Sequence, residues 1–415
     1  MIYVDRFVDR TLAAMLSGPD GVPAILIVGL RSSGKTTTAH RCANSTLRLD
    51  RPAERGVVEV DPDAAIVGGQ PPLLIDEWQL APEVLGAVKR AVDRDFTAGQ
   101  FLLTGSARSD LLASGWAGTG RVVRINLWGM TQRELLGRAH VGQTLLERAS
   151  DPYAHMPIVE SEVDVRGYVE FALKGGLPQI ARSESSLRRS MLLGAYVDQV
   201  ITRDVQIDSG RRRSPSNLRS YLRALAASTS GVVADSRLIE AAGIDRATLQ
   251  SYDDTFESLM ISERVPTYTN NRLNRLAQRP KRYITEPSLL GPLLGIDERA
   301  IMRDVDLLGR MIDTYVASQL RPEIELTLPR AQLLHLRDTN GEHEVDLIIE
   351  YPDGSVIAIE VKASAAPTHH DGRHLRWLKE SIGPAFRKGI VLHTGPRSFQ
   401  FEPDIWYLPI STFWQ

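Results

Sequence analysis

Gly29 to Thr36, GLRSSGKT, carries the spacing G-x-x-x-x-G-K-[ST] and stands between an apolar run and a helical pattern. Glycine lets a backbone wrap tightly, so that successive N–H groups and the N-terminus of the following helix face phosphate oxygens. In this reading Gly29, Leu30, Arg31, Ser32, Ser33, Gly34, Lys35, Thr36 and Thr37 line a nucleotide phosphate site, with Lys35 on the β- and γ-phosphates and Thr36 on Mg2+. The plain alternative is a glycine-rich turn that binds nothing. Downstream, PPLLIDEWQL (Pro71 to Leu80) is an apolar run ending in two acids. Parallel strands present ligands at their carboxyl ends, which brings Asp76 and Glu77 toward the nucleotide. Asp76 would support Mg2+ and Glu77 would polarise the attacking water, unless both simply solvate a strand end. In LLTGSAR, Thr104 and Ser106 are placed to sense the γ-phosphate or to cap a turn. Arg108, Arg121 and Arg124 follow, and one of them, with Arg121 taken as the site residue, would stabilise transferred charge in cis or across a subunit interface.

A second constellation is EVDLIIEYPDGSVIAIEVKAS, Glu344 to Ser364, in which charges interrupt two runs of Ile, Val and Leu. Pro352 and Asp353 suit a type I turn and Gly354 the left-handed position of a bulge, giving a three-residue loop. That loop pairs Tyr351 with Ser355, and counting back sets Asp346 opposite Glu360 and Glu344 opposite Lys362, all on one face. Val345, Leu347 and Ile349 with Ile357, Ile359 and Val361 form the other face, which can enter the core. Opposed side chains have Cβ atoms about 4.5 to 5.5 Å apart, so two carboxylates there repel unless a cation lies between them. The spacing D-x13-E-x-K suits a nuclease that holds Mg2+ with Asp346 and Glu360, while Lys362 orients a water or stabilises the developing charge. Asp313, on the preceding helix, would add a ligand. A two-residue loop would turn Asp346 to the opposite face. The alternative is a sheet with a polar outer face, where Glu344 and Lys362 pair in solvent.

These residues need elements to hold them. AILIVG (24 to 29), TLRLD (46 to 50), LLID (73 to 76), FLLTG (101 to 105) and VVRINL (122 to 127) alternate with helical patterns, which predicts a parallel sheet covered by helices. Residues 131 to 209 read mostly as helix, including SLRRSMLLGAYVDQVITRDV. DSGRRRSPS (208 to 216) reads as a linker. Helical patterns follow at 217 to 228, 235 to 242 and 245 to 261, the last two separated by Gly243, and GRMIDTYVASQL opens the final segment. The expected fold is α/β: an N-terminal P-loop parallel sheet (1–137), a helical connector (138–209), a winged-helix-like domain (210–299) and a C-terminal α/β domain (300–415).

GLRSSGKTT, LLIDEWQL, LLTGSAR and GTGRVVRINLWGMTQREL resemble successive blocks of the prokaryotic AAA-type ATPases whose C-terminal half is the DUF4143 domain. AYVDQVITRDV (195 to 205) is similar to that family's helix ending in Arg-Asp, here Arg203 and Asp204, and GRMIDTYVASQL with the charged hairpin resembles its terminal portion. Asp313 stands where the family commonly has Glu, and EPSLL (286 to 290) replaces a version containing Asp. The resemblance implies ATP binding with Mg2+, hydrolysis as an ATPase, and a restriction-endonuclease-like fold in the C-terminal domain.

ADSRLIEAAGIDRATLQSYDDTFESLM has the order of a helix-turn-helix, and ERVPTYTNNRLNRLAQRPKRYI could form a basic wing. There Arg272, Arg275, Arg279, Lys281 and Arg282 would meet the phosphates of DNA or RNA, although Asp253, Asp254 and Glu257 on the second helix would repel them. A formal charge of −2 excludes a uniformly basic nucleic-acid coat. With 43% hydrophobic residues the chain can bury sizeable cores. One cysteine, Cys42, excludes an intrachain disulfide and a cysteine-rich metal site and suits a reducing cytoplasm. The apolar runs are strand-sized, far short of a membrane span, and MIYVDRFVDR lacks the order of a signal peptide. The expected activity is that of an ATP-driven switch acting on the C-terminal domain. The rivals are an ATP-regulated, Mg2+-dependent nuclease and a non-cleaving surface for protein or nucleic acid. A homo-oligomer is a further expectation.

Overall fold

The computed structural model describes residues 3–105, 120–151, 154–205, 213–269, 275, 278–327, 329–338 and 341–415. The chain divides into two compact units, Met1–Gly129 with Ser258–Met260, and Met130–Glu257 with Ile261–Gln415.

The first unit holds a five-stranded parallel sheet of β1 (Ala24–Gly29), β2 (Ser45–Arg48), β3 (Leu73–Asp76), β4 (Phe101–Gly105) and β5 (Val122–Leu127), in the order β2-β3-β4-β1-β5. Every residue of β1, β3 and β4 is buried, as continuous apolar runs require when helices cover both faces of a parallel sheet. Val8 and Leu12 of the helix Val8–Ser17 and Ala39 of the helix Lys35–Cys42 pack with Ile25, Ile27 and Leu74. Register aligns the carboxyl ends: Val28 lies beside Gly105, and Asp76 beside Thr104. The loop after β1 and the acids after β3 therefore meet on one edge of the sheet. Four of the five strands match the sequence expectation to the residue, and β2 ends two residues early.

In the second unit residues 131–205 are mostly helical, as expected, but in several pieces, with Val165–Lys174 and Ser186–Gln199 the longer ones and a π-helical turn at Val200–Asp204. The helices Pro215–Ala227, Asp235–Ala242 and Arg246–Ser258 follow, with Gly243 left-handed (φ 63°) between the last two. They precede an antiparallel pair, β6 (Ser262–Val265) and β7 (Lys281–Ile284). The last of these helices stops three residues short of the expected 261.

The helix Val305–Glu325 then leads into a six-stranded sheet of β8 (Gln332–Arg337), β9 (Glu344–Glu350), β10 (Val356–Lys362), β11 (Phe386–His393), β12 (Phe399–Glu402) and β13 (Ile405–Pro409). Its order is β12-β13-β11-β10-β9-β8, with parallel pairing only at β10–β11 and β11–β13. The β9–β10 register is the predicted one: the Tyr351 N–H donates to the Ser355 carbonyl at 2.9 Å, Gly354 has φ 82°, and the ladder runs from Val356↔Glu350 to Ile359↔Leu347. The outer face is not polar, however. Ile348, Val356 and Ala358 share a core with Leu375 and Leu378 of the helix Arg373–Ile382, and Glu360 is only 3% exposed.

Candidate nucleotide site and C-terminal carboxylate cluster

The loop between β1 and the helix Lys35–Cys42 is shaped by backbone that few residues accept. A Cβ at Gly29 would lie 2.2 Å from the Leu127 carbonyl oxygen, so the strand end tolerates only glycine beside β5. Ser32 (φ 61°) and Gly34 (φ 98°) are left-handed, and such alternation turns successive N–H groups into one concavity. The first turn of the following helix points its own N–H groups the same way. Lys35 Nζ donates to the Gly29 and Leu30 carbonyls at 3.0 and 2.9 Å and so lies folded over the loop.

Asp76 is 6% exposed, and one of its oxygens, Oδ1, accepts from Thr36 Oγ1 at 2.8 Å and from Thr104 Oγ1. Three sequence-predicted residues from three elements thus converge. Glu77 is left-handed (φ 58°), and its carboxylate accepts from the side-chain amide of Gln79. The residues fit a nucleotide phosphate with Mg2+: a hydroxyl and a carboxylate in contact, a lysine within the loop, and a donor-lined cradle. Ser33 Oγ, fully buried, has no hydrogen-bond partner.

Sequence reasoning missed two contributors here. Arg6, 3% exposed, donates to the Ser33 carbonyl at 2.9 Å and to the Trp128 carbonyl at 2.8 Å, bracing the loop from the N-terminal segment. Gln79 holds Glu77. Neither residue belongs to a spaced motif, so no local pattern marks it.

Two expectations fail or fall outside this site. Arg121 precedes β5 at its amino end, where Val122 pairs with Ala24. Five residues separate Ala24 from Gly29, or ~16 Å at about 3.3 Å per residue. Its Nε instead donates to Asp93 of the helix Val84–Arg94, so Arg121 is no finger for this chain's own nucleotide. Ser106 and Arg108 lie outside the described residues. Arg124 is exposed and donates to Asn126 Oδ1 at 3.2 Å.

The C-terminal carboxylates do meet, but around a side chain that the sequence reading placed elsewhere. Lys281 of β7, 2% exposed, puts Nζ 2.7 Å from Asp313 Oδ2 and 3.1 Å from Asp346 Oδ1. Tyr283 Oη donates to Asp313 Oδ1 at 2.8 Å, and the Val361 N–H donates to Asp346 Oδ2 at 3.0 Å. Glu360 Oε2 accepts from Lys362 at 3.3 Å, while Oε1 is buried and has no hydrogen-bond partner among the described residues. Burial raises all three carboxyls, and their neighbours decide the outcome. For Asp346 the charges of Lys281 and Lys362 and the Val361 N–H outweigh burial, leaving it at about 2. Asp313, with burial offset only in part by Lys281, stands at about 6. Burial and the Asp346 charge push Glu360 well above the usual carboxylate range.

The basic wing is corrected by the same contacts. Lys281 is enclosed as described, and Arg282, 4% exposed, donates to Asp235 and Asp253 at 2.9 and 3.0 Å. Arg275 grips both oxygens of Glu350 at 2.5 and 2.7 Å. These three guanidinium and ammonium groups are spent on carboxylates and do not face a phosphate backbone. Arg279 is exposed, and Arg272 lies outside the described residues. Asp253 is itself buried, accepting also from Tyr221 Oη, rather than exposed on the second helix. Glu286 caps Ser288 and accepts from the Gly176 N–H at 3.2 Å, a packing role for the EPSLL stretch.

Comparison with known proteins places an AAA domain at residues 22–136, a domain of unknown function designated DUF8612 at 165–300, and a domain of unknown function designated DUF4143 at 308–413. Two relatives, the uncharacterized proteins Mb2031c of Mycobacterium bovis and Rv2008c of Mycobacterium tuberculosis, are each 26% identical over 350 residues, covering 83% of this chain and 71% of theirs. Among solved structures, protein VC1899 from Vibrio cholerae covers 90% of this chain and 89% of its own at 10% identity, with a TM-score of 0.18 that carries no argument. Among the described residues no helix is long and apolar enough to cross a membrane.

Proposed function

Because this chain joins an N-terminal AAA-type domain to a C-terminal DUF4143 domain, we propose that it binds Mg·ATP in the cradle Gly29–Thr37, hydrolyses it, and uses the nucleotide state to bias the remainder of the chain toward a partner. The convergence of Thr36 and Thr104 on one oxygen of Asp76 carries this reading. A metal-supporting carboxylate is expected beside the hydroxyl that ligates the metal, and Thr104 fixes its rotamer. Mg2+, when bound, neutralises charge on the phosphates. Lys35 leaves the Gly29 and Leu30 carbonyls to meet phosphate oxygens. Glu77, once Gln79 releases it, accepts a proton from the attacking water. Calorimetry with Mg·ATP and γ-phosphate release test the proposal: Lys35→Ala is expected to lose both, and equal rates in wild type and variant would exclude this loop.

The helix Val305–Glu325, three antiparallel strands β8 to β10, the helix Arg373–Ile382 and the parallel β11 follow one another in an order that supports a restriction-endonuclease-like fold for 300–415. The helix, left-handed glycine, helix and antiparallel pair of 235–284 support a winged-helix arrangement within 210–299. With its central cations engaged by carboxylates, that segment is proposed to serve packing and protein contact rather than nucleic-acid binding.

A further inference from the structure

Asp313 and Asp346, two of the carboxylates that a nuclease would give to Mg2+, share one neighbour in the C-terminal domain, and their oxygens are already engaged. Mg2+ demands near-ideal octahedral oxygen coordination at about 2.0 to 2.1 Å. Here the two oxygens of Asp313 accept from Lys281 and Tyr283, and the two of Asp346 accept from Lys281 and the Val361 N–H. The Asp346 carbonyl also lies 3.2 Å from the Lys281 ammonium. That ammonium sits between the two acids, in the space a shared cation would need. A divalent ion would have to break both carboxylate contacts of a 2%-exposed lysine, and a buried charge that loses its partners is strongly destabilising.

Lys281 is not part of the sheet that carries the acids. It comes from β7, which forms with β6 a separate two-stranded sheet, whereas Asp346 and Glu360 lie on β9 and β10 and Asp313 on the helix Val305–Glu325. One ammonium therefore ties three separate elements together. Glu360 does not restore a ligand set: its neighbour Lys362 is 3.3 Å away, and its free oxygen is enclosed in a sheet face packed by Ile348 and Ala358.

We infer that Lys281 stands in the metal position of the C-terminal domain, so that this sheet holds no resident divalent cation, does not cut phosphodiesters through Asp346 and Glu360, and is instead pinned to the β6–β7 pair. Removing the ammonium is expected to uncover a latent divalent site formed by Asp313, Asp346 and Glu360.

The test is Mn2+ binding to the nucleotide-free full chain, read by electron paramagnetic resonance with Mn2+ alone as the probe. Wild type, Asp346→Asn and the conservative Glu360→Gln should bind the same number of ions with affinities within about twofold. An ion held by wild type and lost in either variant overturns the inference. Asp338→Asn accounts for the separate group Asp338, Glu342 and His343, whose ligand atoms lie within 4.8 Å of one another. Lys281→Ala should gain one ion bound at least about tenfold more tightly than wild type binds any at this place, and adding Asp346→Asn should abolish the gain. A Lys281→Ala chain with native near-ultraviolet dichroism that gains nothing overturns the latent site. If that variant does not fold, Glu360→Gln still decides, together with Mg2+-dependent cutting of oligonucleotides. Cutting is expected to be absent, and cutting that Glu360→Gln removes sinks the inference.

Discussion

At Asp76 one carboxylate oxygen serves two hydroxyls, and the next residue, Glu77, waits on an amide. This separates two roles that adjacent acids could share. Glu77→Gln should keep Mg·ATP binding by calorimetry while γ-phosphate release falls by about 10²- to 10⁴-fold, the usual worth of a positioned base. Arg121→Ala should leave the hydrolysis rate within about twofold, because its guanidinium is held at the surface by Asp93 and brings no charge to the loop after β1. A large loss of rate would place Arg121 at a neighbouring chain's nucleotide. That Thr36, Asp76 and Thr104 come together was legible in the sequence, because their positions follow from local spacing and strand ends. Arg6, Gln79 and Lys281 were not, since each acts on a residue that only the folded chain or a turn brings near. Counting Lys281 and Arg282 as available cations failed for the same reason: charge is visible in a sequence, but its partner is not.

Elements were more legible than contacts. Apolar runs of strand length gave β1, β3, β4 and β5 to the residue, and the Pro-Asp-Gly turn gave the β9–β10 register. Gly354→Ala should test that turn, costing ~1 kcal/mol in a urea midpoint because φ 82° suits glycine. What patterning could not give was a second covering layer: the helix Arg373–Ile382 encloses the face that alternation marked as polar. A buried acid in the helix Val305–Glu325 shows what such enclosure does to titration. Glu323, 2% exposed, accepts from the Leu146 N–H at 2.9 Å. Burial pushes it up to about 7, with that N–H and Arg133 offsetting only part. A folded-state value above the unfolded one means that the native chain binds this proton more tightly, so the stabilisation is full below about 4.5 and is lost as pH rises through 7. Glu323→Gln, neutral throughout, should melt with wild type at low pH and above it beyond pH 7, by up to ~3 kcal/mol of stability. A difference that stays constant across the range would show that Glu323 does not titrate there.

For the whole molecule, nucleotide uptake should be visible as stability. Mg·ATP at a hundred times its Kd adds about 2.7 kcal/mol to the state that binds it, and Lys35→Ala should show no such rise in thermal melts. Solution sizing with and without Mg·ATP then separates a self-contained monomer from a nucleotide-dependent assembly, which would bring a neighbour's arginine to the phosphates. The α/β class followed from alternation, and the AAA domain ahead of the DUF4143 domain from motif. The tie between the β6–β7 segment and the last sheet did not, because its contacts, Lys281 to Asp346 and Arg275 to Glu350 among them, join residues far apart in the chain. Arg6 has a practical consequence for anyone preparing this protein. A tag fused too close to residue 6, or a clipped N-terminus, would remove the strut beneath the loop while leaving every motif residue in place, and the resulting silence in an activity assay would be an artefact of preparation.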